Sequence, residues 1–372
     1  MTRPHPVLIR LAAAGPLGPI ADYPVLVRSA IEHRMEGLLW SAVAEDPTAS
    51  GNGWRRELAV VDLLNRRRNE TNQRALVELV QRASSLGIAV AAVKGVSTEA
   101  RWYGRIGERP SGDVDLVLGP DQLDRAADLV AAFQPDHPLL DDVGDLVDRR
   151  ILQSIELRVG SAAVDLHFDL MKTGAPSRRP TEVWAEMISY RIADQQILVP
   201  SAELALVHAL IHLTKDRFRH LLGYVDVQRM ASDPETDVER AFEIAARQDL
   251  GGHTALAYSA VAEVLPMPRA SAQRVSLTSK LAWRTLWPPS VRLRGNEGLK
   301  RFRWRQDAIP LTADTRRARA MIWWIRRSAL PPKNLLEYRG VGSGSYVSRL
   351  TVGRLAATRK RRRASEPQDG DA

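Results

Sequence analysis

Two aspartates stand one residue apart in Asp113-Val114-Asp115-Leu116-Val117-Leu118. The stretch has the period of a strand. Asp113, Asp115 and Val117 share one face and Val114, Leu116 and Leu118 the other, which predicts a half-buried strand with both carboxylates on one side. Like charges so close repel unless a cation lies between them, and hard oxygen ligands suit Mg²⁺ or Mn²⁺. A second stretch, Val164-Asp165-Leu166-His167-Phe168-Asp169-Leu170, repeats the alternation with Asp165, His167 and Asp169 on one face. Upstream, the apolar run Ile88 to Val93 ends at Lys94-Gly95. There a residue without Cβ permits a close backbone approach, and Lys94 is either a usable point charge or a strand-end lysine snorkelling to solvent. The connection from Gly104 to Gly112 adds Arg105, Arg109 and Ser111. A lone D-x-D is mostly two exposed strand carboxylates; this conjunction is much more specific than its parts, and it points to a site for a divalent cation. Arg109 has two readings, phosphate ligand or ion-pair partner of an Asp in the same site. Ser111 is a phosphate ligand or a turn former. His167 either helps orient an acceptor or a base, or is a satisfied structural partner. Asp169 lies further along the strand and stays outside the metal set.

The elements that must carry these groups follow from periodicity and breakers. Residues 1–50 mix short apolar runs with Pro and Gly, and 46–53 read as a loop. From Trp54 to Ser85 there is no Pro or Gly, and Leu58, Val61, Leu64, Leu76, Leu79 and Val80 recur at helical spacing, so one long helix or two abutting ones are expected, stopped by Gly87. Ile88 to Val93 is a strand buried on both faces, Ser97 caps a short helix to Tyr103, and Pro120-Asp121 open a helix to about Phe133. Leu152 to Val159 and Ala163 to Leu170 form a hairpin around Gly160-Ser161. Beyond Pro180 the pattern turns helical: Thr181 to Tyr190, Ser201 to Lys215, Leu221 to Met230, Val238 to Gln248 and His253 to Val264. The expected organisation is an N-terminal segment 1–53, a core 54–178, a helical domain 179–290, an Arg/Trp-rich region 291–354 and a disordered basic tail 355–372.

Composition removes several alternatives. With 372 residues, 44% hydrophobic and 26% charged, the chain is long enough for two or three packed units and ordinary enough to be globular. No Cys occurs, which excludes disulfides, thiolate zinc sites, iron–sulfur clusters and a cysteine nucleophile. The net charge of +9 is carried by the stretch 301–327 and the tail from Arg354, so the rest is near neutral. Arg10, Pro16 and Pro19 interrupt any signal peptide, no apolar run spans a bilayer, and a cytoplasmic protein is expected. No P-loop and no G-x-S-x-G elbow appears. His208 and His212 have the i, i+4 spacing of a zinc pair, but Ala209 stands where a metalloprotease carries its base. They are read as packing and hydrogen bonding with Asp226, or as acting near a nucleotide. Trp283, Trp287, Trp304, Trp323 and Trp324 among basic residues read as aromatic packing with an Arg-rich face, or as a surface for RNA or an anionic membrane.

Val93-Lys94-Gly95, Arg109-Pro110-Ser111-Gly112-Asp113-Val114-Asp115 and Val164 to Leu170 together resemble the uncharacterised nucleotidyltransferase family of the DNA polymerase β-like superfamily. Pro200-Ser201-Ala202-Glu203 with His208, His212 and Asp226 is similar to that family's following helical segment, and the resemblance covers about residues 55–230. It implies an α+β fold, a polymerase β-like mixed sheet with flanking helices plus a helical C-terminal domain. It also implies Asp113, Asp115 and Asp165 as catalytic metal ligands for Mg²⁺ or Mn²⁺, with Lys94, Gly95, Arg109, Ser111 and Gly112 around an NTP. The superfamily's usual phosphate turn is Gly-Ser or Gly-Gly; here it is Lys-Gly. The implied activity is two-metal transfer of a nucleoside monophosphate from an NTP to an unidentified acceptor hydroxyl or phosphate. The alternative is a catalytically silent module that binds nucleotide, RNA or a partner protein through its basic C-terminal region.

Overall fold

The computed structural model describes residues 4–15, 17, 20, 22–44, 53–148, 152–171, 177, 179–271, 275–288 and 292–293. The Arg/Trp-rich region, except Arg292 and Leu293, and the basic tail lie outside the described residues, and so do Trp304, Trp323 and Trp324.

Three short helices come first: α1 (Pro6–Ala12), α2 (Tyr23–His33) and α3 (Glu36–Val43). Helix α4 (Gly53–Ser85) is a single helix of 33 residues, about 50 Å long. It ends where Gly87 adopts φ +69° and the Ile88 N–H bonds back to the Ala83 carbonyl. Strand β1 (Val90–Val93) leads into α5 (Gly95–Trp102), and β2 (Val114–Leu118) follows the Gly-rich connection. A 3-10 turn over Pro120–Arg125 precedes α6 (Ala126–Phe133), so the expected helix begins six residues later as α-helix. After α7 (Val143–Asp148) the hairpin of β3 (Ser154–Val159) and β4 (Ala162–His167) turns at Gly160, whose φ of +57° suits glycine.

The stretch expected as a helix from Thr181 to Tyr190 divides. Helix α8 (Pro180–Trp184) stops early, and β5 (Met187–Ile192) and β6 (Gln195–Pro200) form a hairpin. Met-Ile-Ser-Tyr-Arg-Ile alternates, and a sheet edge was there to receive it. Helices α9 (Ala202–Lys215), α10 (Leu221–Ser232), α11 (Val238–Arg247), α12 (Gly251–Ala262) and α13 (Leu277–Leu286) complete the described chain.

The six strands form one mixed sheet in the order β3-β4-β2-β1-β6-β5. The pair β1/β2 is antiparallel, and β2/β4 and β1/β6 are parallel. Alternation divides the core between the faces. Val90, Ala92, Val114, Leu116, Val164 and Leu166 pack in one cluster with Leu76 and Leu79 of α4 and Leu129 of α6. Ala91, Val93 and Val117 belong to the other, with Leu206, Leu210 and Leu213 of α9. Strand β2 is therefore buried on both faces rather than half-buried, and Asp115 is 6% exposed. A carboxylate so placed must be compensated. Trp283 and Trp287 are buried beside His253 and Phe218, which is aromatic packing for those two.

One buried stripe runs the length of α4 at spacings of three and four: Asp62, Asn65, Asn69 and Asn72 in its first part, then Leu76, Leu79 and Ala83. The apolar half meets the sheet. The polar half meets the connection 104–113 and its neighbours, because that connection forms no sheet or helix and its backbone groups need partners. Helix α3 approaches the same connection so closely that a Cβ on Gly37 would overlap the carbonyl oxygens of Gly107 and Glu108.

Candidate functional site

Register brings the acidic residues together. Asp115 on β2 lies directly beside Asp165 on β4, and Val117 beside His167, so Asp115, Asp165 and His167 emerge on the same face. His167 Nε2 is 2.8 Å from Asp115 Oδ1 and 3.4 Å from Asp165 Oδ2. Ligand atoms of these three side chains lie within 4.8 Å of one another. Asp113 stands just before β2, exposed and outside that tight cluster.

From the other side of β2, Val93 of β1 pairs with Asp115, and the next residue is Lys94. Its ammonium lies 2.7 Å from Asp115 Oδ1. Burial alone would raise the Asp115 carboxyl; the Lys94 charge and the hydrogen bond from His167 overcome it and hold the group well below the usual carboxylate range. Burial would lower Lys94, but Asp115 outweighs it and the ammonium is held more tightly than usual. Asp113 goes the other way: desolvation and the Asp115 charge push its carboxyl up to about 6.

Helix α5 begins at Gly95, not at a cap on Ser97. Lys94 is its N-cap residue and no side chain caps its first turn, while Ser97 Oγ donates back to the Lys94 carbonyl. A Cβ on Gly95 would overlap Ser111 Oγ, so this glycine admits the Ser111 hydroxyl. Ser111 in turn donates its hydroxyl to the Asp113 carbonyl and its N–H to Asn69. Gly112 is exposed, with open space around its Cα. We therefore expect Gly95→Ala to cost about 1–3 kcal/mol by forcing Ser111 off Asp113, and Gly112→Ala to stay within about 0.5 kcal/mol of the parent. Urea unfolding of the two variants checks the contrast.

The Gly-rich connection is held by α4. Asn69 Nδ2 donates to the Arg109 carbonyl and to Glu99 Oε1, each at 2.8 Å, and Asn72 Nδ2 donates to the Ser111 carbonyl at 3.4 Å. Arg109 itself reaches away from the acidic cluster. Its Nε and Nη2 donate to the two carboxylate oxygens of Asp226 on α10, at 2.8 and 2.7 Å, and Tyr103 donates its hydroxyl to the same carboxylate at 2.6 Å. The partner is an Asp, though of the helical wall rather than the metal set. Asp226 is thus occupied by Arg109 and Tyr103, and His212 pairs with Asp216 at 3.3 Å. Asp169 accepts hydrogen bonds from Met171 and Ser177, a turn-forming role.

Between α5 and α9–α10 lies a cleft of about 90 Å³, partly open to solvent. Lys94, Ser97, Thr98 and Arg109 line one wall, and His208, His212, Asp216 and Asp226 the other, with Arg34 also lining it. His208 is 7% exposed; burial and the Lys94 charge hold its imidazole well below its usual pKa. The asparagines of α4 and the Arg109–Asp226 tie escaped the sequence reading. Their signals were Asn residues at helical spacing and an Arg inside a Gly-rich connection.

Sheet order, register and the carboxylates on one strand face describe an α+β protein built as a mixed sheet with flanking helices. The chain belongs to the family described as uncharacterised nucleotidyltransferase, whose family model matches residues 20–266. That span is wider than the motif-bearing part, since it takes in α2 and α3 and runs past α12. Among solved structures, the chain is similar to an antigenic nucleotidyltransferase-like protein from Paracoccidioides brasiliensis, at 17% identity and a TM-score of 0.30, over 54% of this chain and 94% of that one. No curated protein matches. Among the described residues no helix is long and apolar enough to cross a membrane.

Proposed function

We propose that the protein is a divalent-cation-dependent nucleotidyltransferase that moves a nucleoside monophosphate from an NTP to an acceptor hydroxyl or phosphate. The observation that carries this reading is the in-register pairing of Asp115 with Asp165, beside the uncapped first turn of α5. Within the 4.8 Å cluster, the Asp115 and Asp165 carboxylate oxygens are hard donors that fit Mg²⁺ or Mn²⁺, and Asp113 stands at their edge. Asp113, Asp115 and Asp165 would hold the metal. When bound there, it supplies Lewis-acid stabilisation of phosphate charge and lowers the pKa of an acceptor hydroxyl.

The chain's own groups divide the remaining work. The N–H groups at the start of α5 receive a phosphate, as a helix N-terminus does, with the Lys94 ammonium adjacent. Ser111 and Gly95 set the spacing between that turn and Asp113. Arg109, its charge met by Asp226, ties the connection 104–113 to α10 across the cleft wall. Asp115 Oδ1 is engaged by two donors and is a poor base. Asp165, with its side chain 23% exposed, is the better placed carboxylate to accept the acceptor's proton.

Incubation of the full chain with each α-labelled NTP, Mg²⁺ and cell extract tests the reading. Label should pass to an acceptor in the parent and fall to background in an Asp113→Ala/Asp115→Ala double variant. Equal transfer by the double variant would reject the mechanism. Nucleotide affinity that survives the double substitution, with no transfer by the parent, would favour a silent binding module.

A further inference from the structure

Lys94 adopts φ 53° and ψ −140°. Residues with a Cβ rarely take that conformation, and glycine would occupy it without strain. Strain kept at a residue that could have been glycine points to a use for its side chain. What the turn achieves is plain in the contacts: the ammonium is set on Asp115 Oδ1 at 2.7 Å, the same atom that receives His167 Nε2 at 2.8 Å. The charges of Asp165 and Asp113 reinforce that hold. The lysine side chain is 19% exposed and the aspartate 6%, so little water screens the pair.

One carboxylate cannot serve an ammonium and a divalent cation at full strength. A divalent ion that takes Asp115 as a ligand through either oxygen comes within a few ångströms of the ammonium on Oδ1, and the repulsion between two cations at such a distance is large in a poorly solvated site. We infer that Lys94 is a resident counter-cation of the carboxylate cluster, which a divalent ion must displace from Asp115 in order to bind. The inference rests on the nucleotidyltransferase reading above. It assigns Lys94 a role different from a standing phosphate ligand: its charge neutralises Asp115 first, and only displacement releases it toward the first turn of α5, for which it is the N-cap residue.

The test is a Mn²⁺ titration of the full chain, with free ion followed by electron paramagnetic resonance and no nucleotide present. Lys94→Met should bind Mn²⁺ about tenfold more tightly than the parent, while Lys94→Arg, which keeps the charge, should stay within about threefold of it. If Lys94→Met does not fold, as judged by circular dichroism, Lys94→Gln takes its place with the same expectation. Unchanged or weaker binding by the neutral variant would overturn the inference and leave the metal-dependent reading intact. An equal gain in Lys94→Arg would also overturn it, since shape and not charge would then be responsible. Absence of Mn²⁺ binding that depends on the Asp113/Asp115 pair, in parent and variant alike, would defeat the metal-dependent reading and this inference with it.

Discussion

Replacing Asp226 by Ala is expected to lower the unfolding free energy by about 3–5 kcal/mol, the usual cost of leaving one member of a buried ion pair without its partner. Asp226 is 8% exposed and accepts three hydrogen bonds, two from the Arg109 fork and one from the Tyr103 hydroxyl. Burial works against the Arg109 charge, but Asp226 more than offsets it and holds the guanidinium above its ordinary pKa. Tyr103, partly buried and beside the same carboxylate, is pushed well above its usual value by desolvation and the Asp226 charge and stays a donor. Arg229 stacks over the Tyr103 ring at 4.2 Å but has its own partner in Glu108 at 3.3 Å, so truncating Asp226 strands Arg109 in particular. An Arg109→Met/Asp226→Leu double variant should cost less than Asp226→Ala alone, because neither charge is then stranded. Urea unfolding at pH 7 separates the cases: Asp226→Ala should shift the midpoint with little change in slope. A cost under about 1 kcal/mol would mean that the tie between the connection 104–113 and α10 is not what holds that wall.

That tie also shows where a sequence stops being legible. The acidic face could be read directly, since a strand has period two and Asp113, Asp115, Asp165 and His167 fall in phase on two alternating stretches. That Asp165 joins the pair came from the resemblance; the parallel pairing of β2 with β4 that sets Asp115 beside Asp165 was legible neither there nor in the alternation, which says nothing about neighbours. Arg109 and Asp226 are 117 residues apart, and an Arg in a Gly-rich connection carries no mark of the helix it will meet. Of the apolar positions read on α4, Leu58, Leu76 and Leu79 lie on the buried stripe while Leu64 is exposed, and Asp62, Asn65, Asn69 and Asn72, which continue the stripe's spacing, went unread. Hydrophobic periodicity misses a face whose task is to satisfy irregular backbone rather than to fill a core. The hairpin 187–200 was missed for a related reason: Glu182 to Tyr190 has moderate helix propensity, and the free edge of β1 decided the outcome. His167 was legible as a strand residue beside Asp165, but its bond to Asp115 requires the pairing of β2 with β4.

The second large effect concerns acid. His253 is fully buried; its Nε2 lies 3.0 Å from Thr214 Oγ1, and its ring sits edge-on to Trp283 and Trp287. The Thr214 hydroxyl is donated to the Ile211 carbonyl, so it accepts from His253, whose Nε2 carries a proton. Burial lowers its pKa to about 3. Because the folded value lies below the unfolded one, the unfolded chain takes up the proton first as pH falls. The stabilisation is complete above about pH 6.5 and is lost on the way toward the folded value, amounting to about 2 kcal/mol by pH 5. His33, lowered to about 4 by burial and by His220, acts in the same sense. Asp113, Glu36 and Glu99, whose carboxyls are raised, act oppositely, so the parent's pH profile is a mixture. His253→Gln isolates one contribution, since the amide keeps a donor for Thr214 and does not titrate. The variant should be less stable than the parent by about 1–2 kcal/mol at pH 7 for lost ring packing. That gap should shrink by about 2 kcal/mol at pH 5, where only the parent pays for keeping an imidazole neutral. A gap that stays constant between the two pH values, measured by urea unfolding, would show that His253 is not the neutral buried group its surroundings require.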